Sequence, residues 1–386
     1  MSQTDVPELP SKRPGYVRLG KSGLKVSKII LGCMTYGSTD WAGWLLDEET
    51  AYKHIKYAYD AGINTFDTAN VYSNGLSEEI LGKAIKKLHL PREEIVVMTK
   101  FTGVCGRTHG EKYYDPFAAD ELGYVNQWGG SRKHIFDTVK ASLKRLQLDY
   151  IDVLQGESSL FDWSDIFTMC TCHKEVMEAL HDVVKAGYVR YIGMSSCYAW
   201  EFHAMQNYAI NNRLTPFISM QNHYSLIYRE EEREMIPTLK VRSTVPSPFD
   251  TIHPSGNLPS ARALQYFGVS SIPWSPLGRG LLCRPFDKLK DSKRGETDWF
   301  LRVYDDIPAL EQIINRVEEI AKKHQVSMAQ VATAWEFSKD VVAAPIVGTT
   351  SLENLKDILE GVYLKLTEEE VKYLEEPYKP MQIIGH

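Results

Sequence analysis

The sequence alternates short β-rich runs with amphipathic helical stretches, and this order constrains the fold more than any other feature. The runs that predict strands lie at residues 28–32, 63–69, 94–100, 149–155, 189–195, 216–221, 269–275 and 343–348. Strands alternating with helices predict a parallel sheet with helical crossovers, and eight such units favour the α/β class, a (β/α)8 TIM barrel. An open doubly wound sheet is the alternative, which the lack of a GxGxxG motif after the first strand disfavours.

We expect one barrel domain over residues 16–386, preceded by a flexible N-terminal tail at 1–15. Residues 241–265 form an atypical insertion with four prolines and neither helical nor strand periodicity. Two interpretations stay open for this insertion: a Pro-rich surface lid, or an in-frame stretch of retained intron. The acidic run EEERE at 230–234 predicts a solvated helix face.

Charge and composition limit the classes of partner. The chain has 44 Lys and Arg against 50 Asp and Glu, and a net charge of −6. This balance disfavours binding to nucleic acid or to an anionic membrane. The sequence has neither an apolar leader nor an apolar run of membrane-spanning length, and six cysteines in 386 residues do not form a disulfide framework. We therefore expect a cytoplasmic protein, a monomer or weak homo-oligomer, that acts on a small molecule.

Polar residues follow several of the predicted strands, where barrel enzymes place their reactive groups. Asp67 and Tyr72 follow the second strand, and Lys100 ends the third. A tyrosine hydroxyl ordinarily has a pKa of about 10, which a neighbouring ammonium lowers. The three residues therefore predict a proton-transfer site in which the carboxylate positions the lysine. Taken singly, each has a simpler explanation, as a turn cap, a loop aromatic or a lysine at a strand end.

Seven motifs extend this pattern over nearly the whole chain. They are LKVSKIILGCMTYG (24–37), AGINTFDTANVYSNGLSEEILGKAI (61–85), VVMTK (96–100), YIGMSS (191–196), MQNHYSLIYRE (220–230), IPWSPLGRGLL (272–282) and PIVGTTSLENLKD (345–357). Together they resemble the aldo-keto reductase family. The segment NQWGGSRKHIFDTVKASLKRL (126–146) is similar to the fungal aryl-alcohol dehydrogenase and norsolorinic acid reductase branch.

The resemblance implies an NADPH-dependent reductase of an aldehyde or ketone, aromatic or polyketide-derived, in secondary metabolism. It makes Tyr72 the general acid, Lys100 the group that lowers its pKa, and Asp67 the partner of the lysine. The cofactor-binding residues that it implies are Gly32, Met34, Asp67, Ser195, Ser196, Gln221, Trp274, Ser275, Pro276, Leu277, Gly278, Arg279, Gly280, Gly348, Thr349, Thr350 and Asn354. Many relatives have arginine at the position of Thr350, so the preference for NADPH over NADH rests on Thr350 and the nearby Lys356.

The chain departs from the family pattern after the fourth strand, where Glu157 stands in place of a catalytic histidine. We therefore expect cofactor binding with weak carbonyl turnover. The alternatives are a cofactor-binding regulator without turnover and a carbon–carbon double-bond reductase that uses Glu157 as an acid. His173 could replace the missing histidine only if its loop folded back. CTCH (170–173) is too weak a pattern for zinc, so we expect no metal.

A long segment, residues 102–130, follows the third strand and is rich in aromatic side chains. Its aromatic residues are Tyr113, Tyr114, Phe117, Tyr124 and Trp128. They are suited to the wall of a pocket for a flat substrate. A loop packed on its own aromatics is the alternative.

Overall fold

The computed structural model of the protein describes residues 6–112, 118–157, 173–240 and 267–385, and for Glu157 it describes the backbone. The insertion at 241–265 lies outside the described residues, as do Tyr113, Tyr114, Phe117 and the first three residues of CTCH.

Eight parallel strands form a closed barrel. The strands of the barrel are β3 (Ile30–Gly32), β4 (Thr65–Asp67), β5 (Val96–Lys100), β6 (Ile151–Glu157), β7 (Val189–Ser195), β8 (Phe217–Gln221), β9 (Ser270–Ser271) and β10 (Ile346–Val347). They pair in chain order, and β10 pairs with β3. The barrel closes beside β9, where Ala343 N donates to Ser271 O (2.9 Å) and Ile346 N donates to Pro273 O (2.8 Å). The predicted (β/α)8 barrel is confirmed, and the open sheet is wrong.

Helices connect the strands on the outside of the barrel. They are α1 (Glu48–Asp60), α2 (Leu76–Lys87), α3 (Ala118–Glu121), α4 (Arg132–Leu146), α5 (His173–Lys185), α6 (Ala199–Asn211), α7 (Met235–Lys240), α8 (Lys293–Thr297), α9 (Leu310–His324), α10 (Met328–Phe337), α11 (Leu352–Glu360) and α12 (Glu368–Glu375). Several begin at a side chain that caps free backbone N–H groups. Asp47 accepts from Thr50 N before α1, Ser131 from His134 N before α4, and Ser351 from Asn354 N before α11.

A hairpin of β1 (Tyr16–Arg18) and β2 (Lys25–Ser27) precedes the barrel, and the strand pattern did not predict it. Hairpin residues Leu19 and Val26 pack with barrel residues Ile30, Met98 and others in one buried apolar cluster. Polar residues, by contrast, end β4, β5, β7 and β8. The polar strand ends therefore gather at the carboxyl edge of the barrel, where a site can form.

The acidic run at 230–234 is not a solvated helix face, contrary to expectation. Glu230 and Glu231 are buried. Tyr378 Oη donates to Glu230 (2.7 Å), and Asn222 Nδ2 donates to Glu231 (2.9 Å). Burial raises the pKa of Glu231 to about 8, so this carboxyl holds its proton at neutral pH. The helix α7 begins only at Met235, after the chain has turned both carboxyls inward.

Candidate active site

Asp67, Tyr72 and Lys100 meet at the carboxyl ends of β4 and β5. Lys100 is buried, and its Nζ donates to Asp67 Oδ2 (3.0 Å), to Thr68 O (3.1 Å) and to Tyr72 Oη (3.0 Å). An ammonium has three N–H groups, and these three acceptors suffice for all of them. Because Tyr72 Oη accepts a hydrogen bond from the ammonium, the hydroxyl proton of Tyr72 points away from Lys100. The structure thus brings together the three residues that the sequence predicts as a proton-transfer site.

A tight turn holds Tyr72 in this position. Ser73 and Asn74 have left-handed backbones, with φ of 47° and 50°. Ser73 Oγ accepts from Ser38 N (3.0 Å), while Asn74 Oδ1 accepts from Gly106 N (2.9 Å). A strained turn persists only where its surroundings fix it, and here loops from two sides do so. The turn reverses the chain directly after Tyr72 and presents the phenol next to Lys100.

Two buried glutamines complete the surroundings of Asp67. Gln155 Nε2 donates to Asp67 Oδ1 (2.8 Å), and Gln221 Nε2 donates to the same oxygen (3.0 Å) and to Gln155 Oε1 (3.0 Å). Gln221 is a predicted site residue, whereas Gln155 was not predicted from the sequence. The position of Gln155 near the end of β6 is the signal that could have found it.

A cavity of about 500 Å³ opens over this group. The predicted residues that line it are Gly32, Met34, Asp67, Tyr72, Gln221, Trp274, Ser275, Pro276, Leu277, Arg279, Gly280, Gly348, Thr349, Thr350 and Asn354. Ser195, Ser196 and Gly278 lie outside its lining. Ser195 Oγ donates to Gln221 O (3.1 Å), and Ser196 Oγ accepts from Trp274 Nε1 (3.0 Å), so both serines contact residues of the lining.

Trp274 is the end of a three-ring stack. Its ring lies 4.1 Å from that of His223, which lies 4.0 Å from that of Tyr228, and both pairs are inclined by 11°. His223 is buried, and its Nε2 is 2.7 Å from Tyr304 Oη. The indole therefore has a ring stacked behind it, and Trp274 also lines the cavity. His223 was not predicted as a site residue, because neither its residue type nor its spacing in the sequence distinguishes it from an ordinary loop residue.

Cationic side chains gather along the cavity wall between β9 and α9. Arg279 and Arg294 both pair with the buried Asp298, at 2.7 and 2.9 Å. Burial and the neighbouring Arg279 lower the pKa of Arg294 to about 10. Arg284 and Lys293 also line the cavity, and neither has a carboxylate partner within the described part of the chain. Within the described residues, this wall therefore presents more positive charge than its ion pairs compensate.

The lining fits a nicotinamide dinucleotide. Gly280 has a φ of 103°, and a Cβ there would meet no protein atom within 4 Å, so its backbone leaves open space in the cavity. Cationic side chains and a supported aromatic plane are groups that suit a pyrophosphate and a flat ring. The volume also lies in the range of small-molecule sites.

Aromatic and aliphatic side chains form the remaining wall, among them Trp41, Trp44, Leu45, Val104 and Trp299. Tyr124 and Trp128 do not belong to it, so their predicted place in the pocket wall is wrong. Tyr124 Oη donates to Glu111 (2.7 Å), and Trp128 Nε1 donates to Asp120 (3.1 Å). Both rings pack against the cluster of Val104 and Ala119, as expected of a loop packed on its own aromatics.

Glu157 and His173 are the two residues that could stand in for the catalytic histidine that the family pattern implies. The backbone of Glu157 ends β6 in register with Ser195, at the carboxyl edge of the barrel. His173 begins α5, and its ring lies 6.0 Å from that of Trp200. His173 is not part of the cavity lining, so it does not replace the histidine.

Among the residues that the structure describes, no group of three or more His, Cys, Asp or Glu side chains is arranged to hold a metal ion. None of the helices described is both long and apolar enough to span a membrane.

Comparison with known proteins places the chain among reductases. The model of the aldo/keto reductase family matches residues 28–254 and 244–379, so the match divides within the insertion. A protein of Schizosaccharomyces pombe provisionally named an aryl-alcohol dehydrogenase is 46% identical over 379 residues, 96% of this chain and 97% of its own length. The versiconal hemiacetal acetate reductase of Aspergillus parasiticus is 45% identical over 372 residues, 95% and 98% of the two chains. An aldo-keto reductase of Alternaria alternata is 39% identical over 388 residues, which cover 99% of this chain and 96% of its own length.

Proposed function

The chain belongs to the aldo/keto reductase family, oxidoreductases that reduce carbonyl compounds to alcohols with a nicotinamide dinucleotide, and we propose that it uses NADPH with Tyr72 as the proton donor. The observation that supports this proposal most strongly is the hydrogen bond from Lys100 Nζ to Tyr72 Oη (3.0 Å) beside a cavity of about 500 Å³.

The roles of the residues follow from their contacts. The reduced cofactor, when bound, supplies a hydride to the carbonyl carbon. Tyr72 lines the cavity and gives its proton to the carbonyl oxygen, which becomes the alcohol. Lys100 donates to the phenolic oxygen and stabilises the phenolate that remains. Asp67 balances the buried ammonium and holds it in place.

We propose that the trio of Trp274, Ser196 and Gln221 holds the nicotinamide end. Trp274 offers a ring plane backed by His223, and Ser196 fixes the indole N–H at 3.0 Å. Backbone groups of residues 275–280 would hold the pyrophosphate, and residues 348–354 the adenosine end. Thr350 and Asn354 line that end of the cavity.

The preference for NADPH over NADH rests on Arg284 and Lys293 more than on Thr350. Arg284 lines the cavity together with Asn354 and Asp357 of α11. This shared lining supports a role for Arg284 at the end of the cavity proposed for the adenosine. A charge-assisted hydrogen bond contributes about 1.5–3 kcal/mol, roughly a tenfold to hundredfold change in affinity.

Titration with both cofactors tests this preference. Arg284→Ala and Lys293→Ala should each weaken NADPH binding by tenfold or more, and NADH binding by threefold or less. Lys290→Ala is the matched control, since Lys290 is exposed and lies outside the cavity lining. Equal losses for both cofactors would show that the two cations do not recognise the 2′-phosphate.

The substrate that the wall fits best is a flat, aromatic or polyketide-derived carbonyl compound. Trp41, Trp44 and Trp299 give this side of the cavity large apolar faces. One relative is named a versiconal hemiacetal acetate reductase. The location and assembly of the protein stay proposals: the cytoplasm, as a monomer or weak homo-oligomer.

Turnover assays separate the proposal from its alternatives. NADPH binding is measured by fluorescence titration, and NADPH oxidation with a panel of aryl aldehydes and enones. We expect binding and slow reduction of the aldehydes, because Glu157 replaces the residue that orients the carbonyl oxygen. Binding without oxidation would instead indicate a regulator, and activity on enones alone a double-bond reductase.

A further inference from the structure

Gln155 lies behind the catalytic group and outside the cavity lining, yet it connects two of its members. Its amide bonds Asp67 through Nε2 (2.8 Å) and Gln221 through Oε1 (3.0 Å), and it is fully buried. Gly193 on the next strand lies against it, since a Cβ there would be 3.4 Å from Gln155 Cγ, an ordinary van der Waals distance. Because the Gln155 amide is buried, it restricts the orientations of the Asp67 and Gln221 side chains to which it is hydrogen-bonded.

The network leaves one orientation for the side chain of Gln221. A carboxylate only accepts hydrogen bonds, so Asp67 Oδ1 requires the amide nitrogen of Gln221, not its oxygen. The second N–H of the same nitrogen donates to Gln155 Oε1. Both protons of Gln221 are thus used inside the network. Its Oε1 makes no hydrogen bond within the described residues, and Gln221 lines the cavity.

We infer that Gln155 is a positioning residue that fixes the Gln221 amide with its oxygen free, so that the site accepts a hydrogen bond from the carboxamide NH2 of the cofactor. This inference rests on the proposed function. If Gln221 is held in this way, the site recognises the carboxamide of the cofactor and discriminates against a ring substituent of similar shape that cannot donate a hydrogen bond. Gln155 itself touches neither the cofactor nor the substrate.

The experiment compares two reduced cofactors that differ in one group. In the 3-acetylpyridine analogue of NADPH, a methyl group replaces the carboxamide NH2, so it cannot donate to Gln221. Calorimetric titration gives the dissociation constants of both for the wild-type protein, Gln155→Met, Gln221→Met and Gln206→Met. Gln206 is the matched control: it is equally buried, and its amide bonds the backbone of Phe217 away from the cavity.

We expect the wild-type protein and Gln206→Met to bind NADPH roughly threefold to tenfold more tightly than the analogue, the effect of one hydrogen bond. In Gln221→Met the ratio should fall to about one, and in Gln155→Met to less than half of its wild-type value. Gln155→Asn, which keeps an amide but withdraws it by one methylene, provides a second test if the methionine variant does not fold, with the same result expected.

Three outcomes are decisive. An unchanged ratio in a folded Gln155 variant, whatever its overall affinity, would overturn the inference and leave the proposed function standing. A fall in the ratio supports it even if no carbonyl is reduced, because the measurement needs no turnover. Failure of the wild-type protein to bind NADPH would overturn the proposed function, and the inference with it.

Discussion

Replacing Asp298 with asparagine removes the counter-charge of two guanidinium groups on the cavity wall. Asp298 Oδ2 accepts from Arg279 Nη2 (2.7 Å) and Arg294 Nε (2.9 Å), and its side chain is 1% exposed. Burial opposes ionisation of Asp298, but the two arginines outweigh it and hold its pKa below the ordinary value. The carboxylate is therefore charged at neutral pH, and its removal leaves both cations unbalanced.

The size of the effect follows from the burial of the pair. Breaking a buried ion pair by removing one partner costs about 3–5 kcal/mol. Unfolding entropy is about 2.1 cal/mol/K per residue, which gives about 0.8 kcal/mol/K for a chain of this length. Asp298→Asn should therefore lower Tm by about 4 to 6 °C.

Calorimetry with and without an anion tests this reasoning. Asp152→Asn is the matched control, because Asp152 forms a part-buried pair with Arg92 (2.6 Å) at the start of β6, away from the cavity. Adding 2′-phospho-ADP-ribose should raise the Tm of Asp298→Asn by more than that of the wild type or the control, since its phosphates replace the lost charge. An unchanged Tm, or an equal rise in all three proteins, would refute the reasoning.

Three further predictions concern other residues. Glu157→His should raise kcat/KM for aryl aldehydes on the order of 10²-fold, measured as NADPH oxidation, because it restores a donor to the carbonyl oxygen; no gain would show that Glu157 is not the cause of weak turnover. Burial raises the pKa of Glu336 well above 4.5, so the folded protein resists the ionisation that the unfolded chain undergoes above pH 4.5. Glu336→Gln should therefore raise Tm at pH 8, and this gain should vanish as the pH falls toward 4.5. His223→Leu removes the ring behind Trp274 and should weaken NADPH binding by roughly threefold to tenfold in fluorescence titration, whereas unchanged binding would show that the stack is not needed.

The sequence was sufficient for the barrel and for the three reactive residues because both depend on local or repeated patterns. Val189–Ser195 has the predicted bounds, and every other barrel strand lies within one or two residues of a predicted run or inside it. Asp67 and Lys100 end neighbouring parallel strands, so strand order alone places them together. The DTANVY spacing then brings Tyr72 within reach.

The sequence was insufficient where a partner distant in the chain decides the outcome. Glu230 is buried because Tyr378, near the C-terminus, donates to it. Gln155 gains its place from Asp67, on a strand two positions away in the barrel, and His223 from Trp274. Such contacts leave no periodic signal in the sequence, because they depend on which side chains meet once the strands and loops have packed.

The most direct test of the central claim is Tyr72→Phe, which removes only the hydroxyl that accepts from Lys100. The variant should bind NADPH with a Kd within about twofold of wild type, because the ring that lines the cavity is kept. Its single-turnover rate of aryl aldehyde reduction should fall by about 10²–10⁴-fold, the usual contribution of a general acid. Reduction at the wild-type rate by a variant that binds NADPH normally would contradict the assignment of Tyr72 as the proton donor.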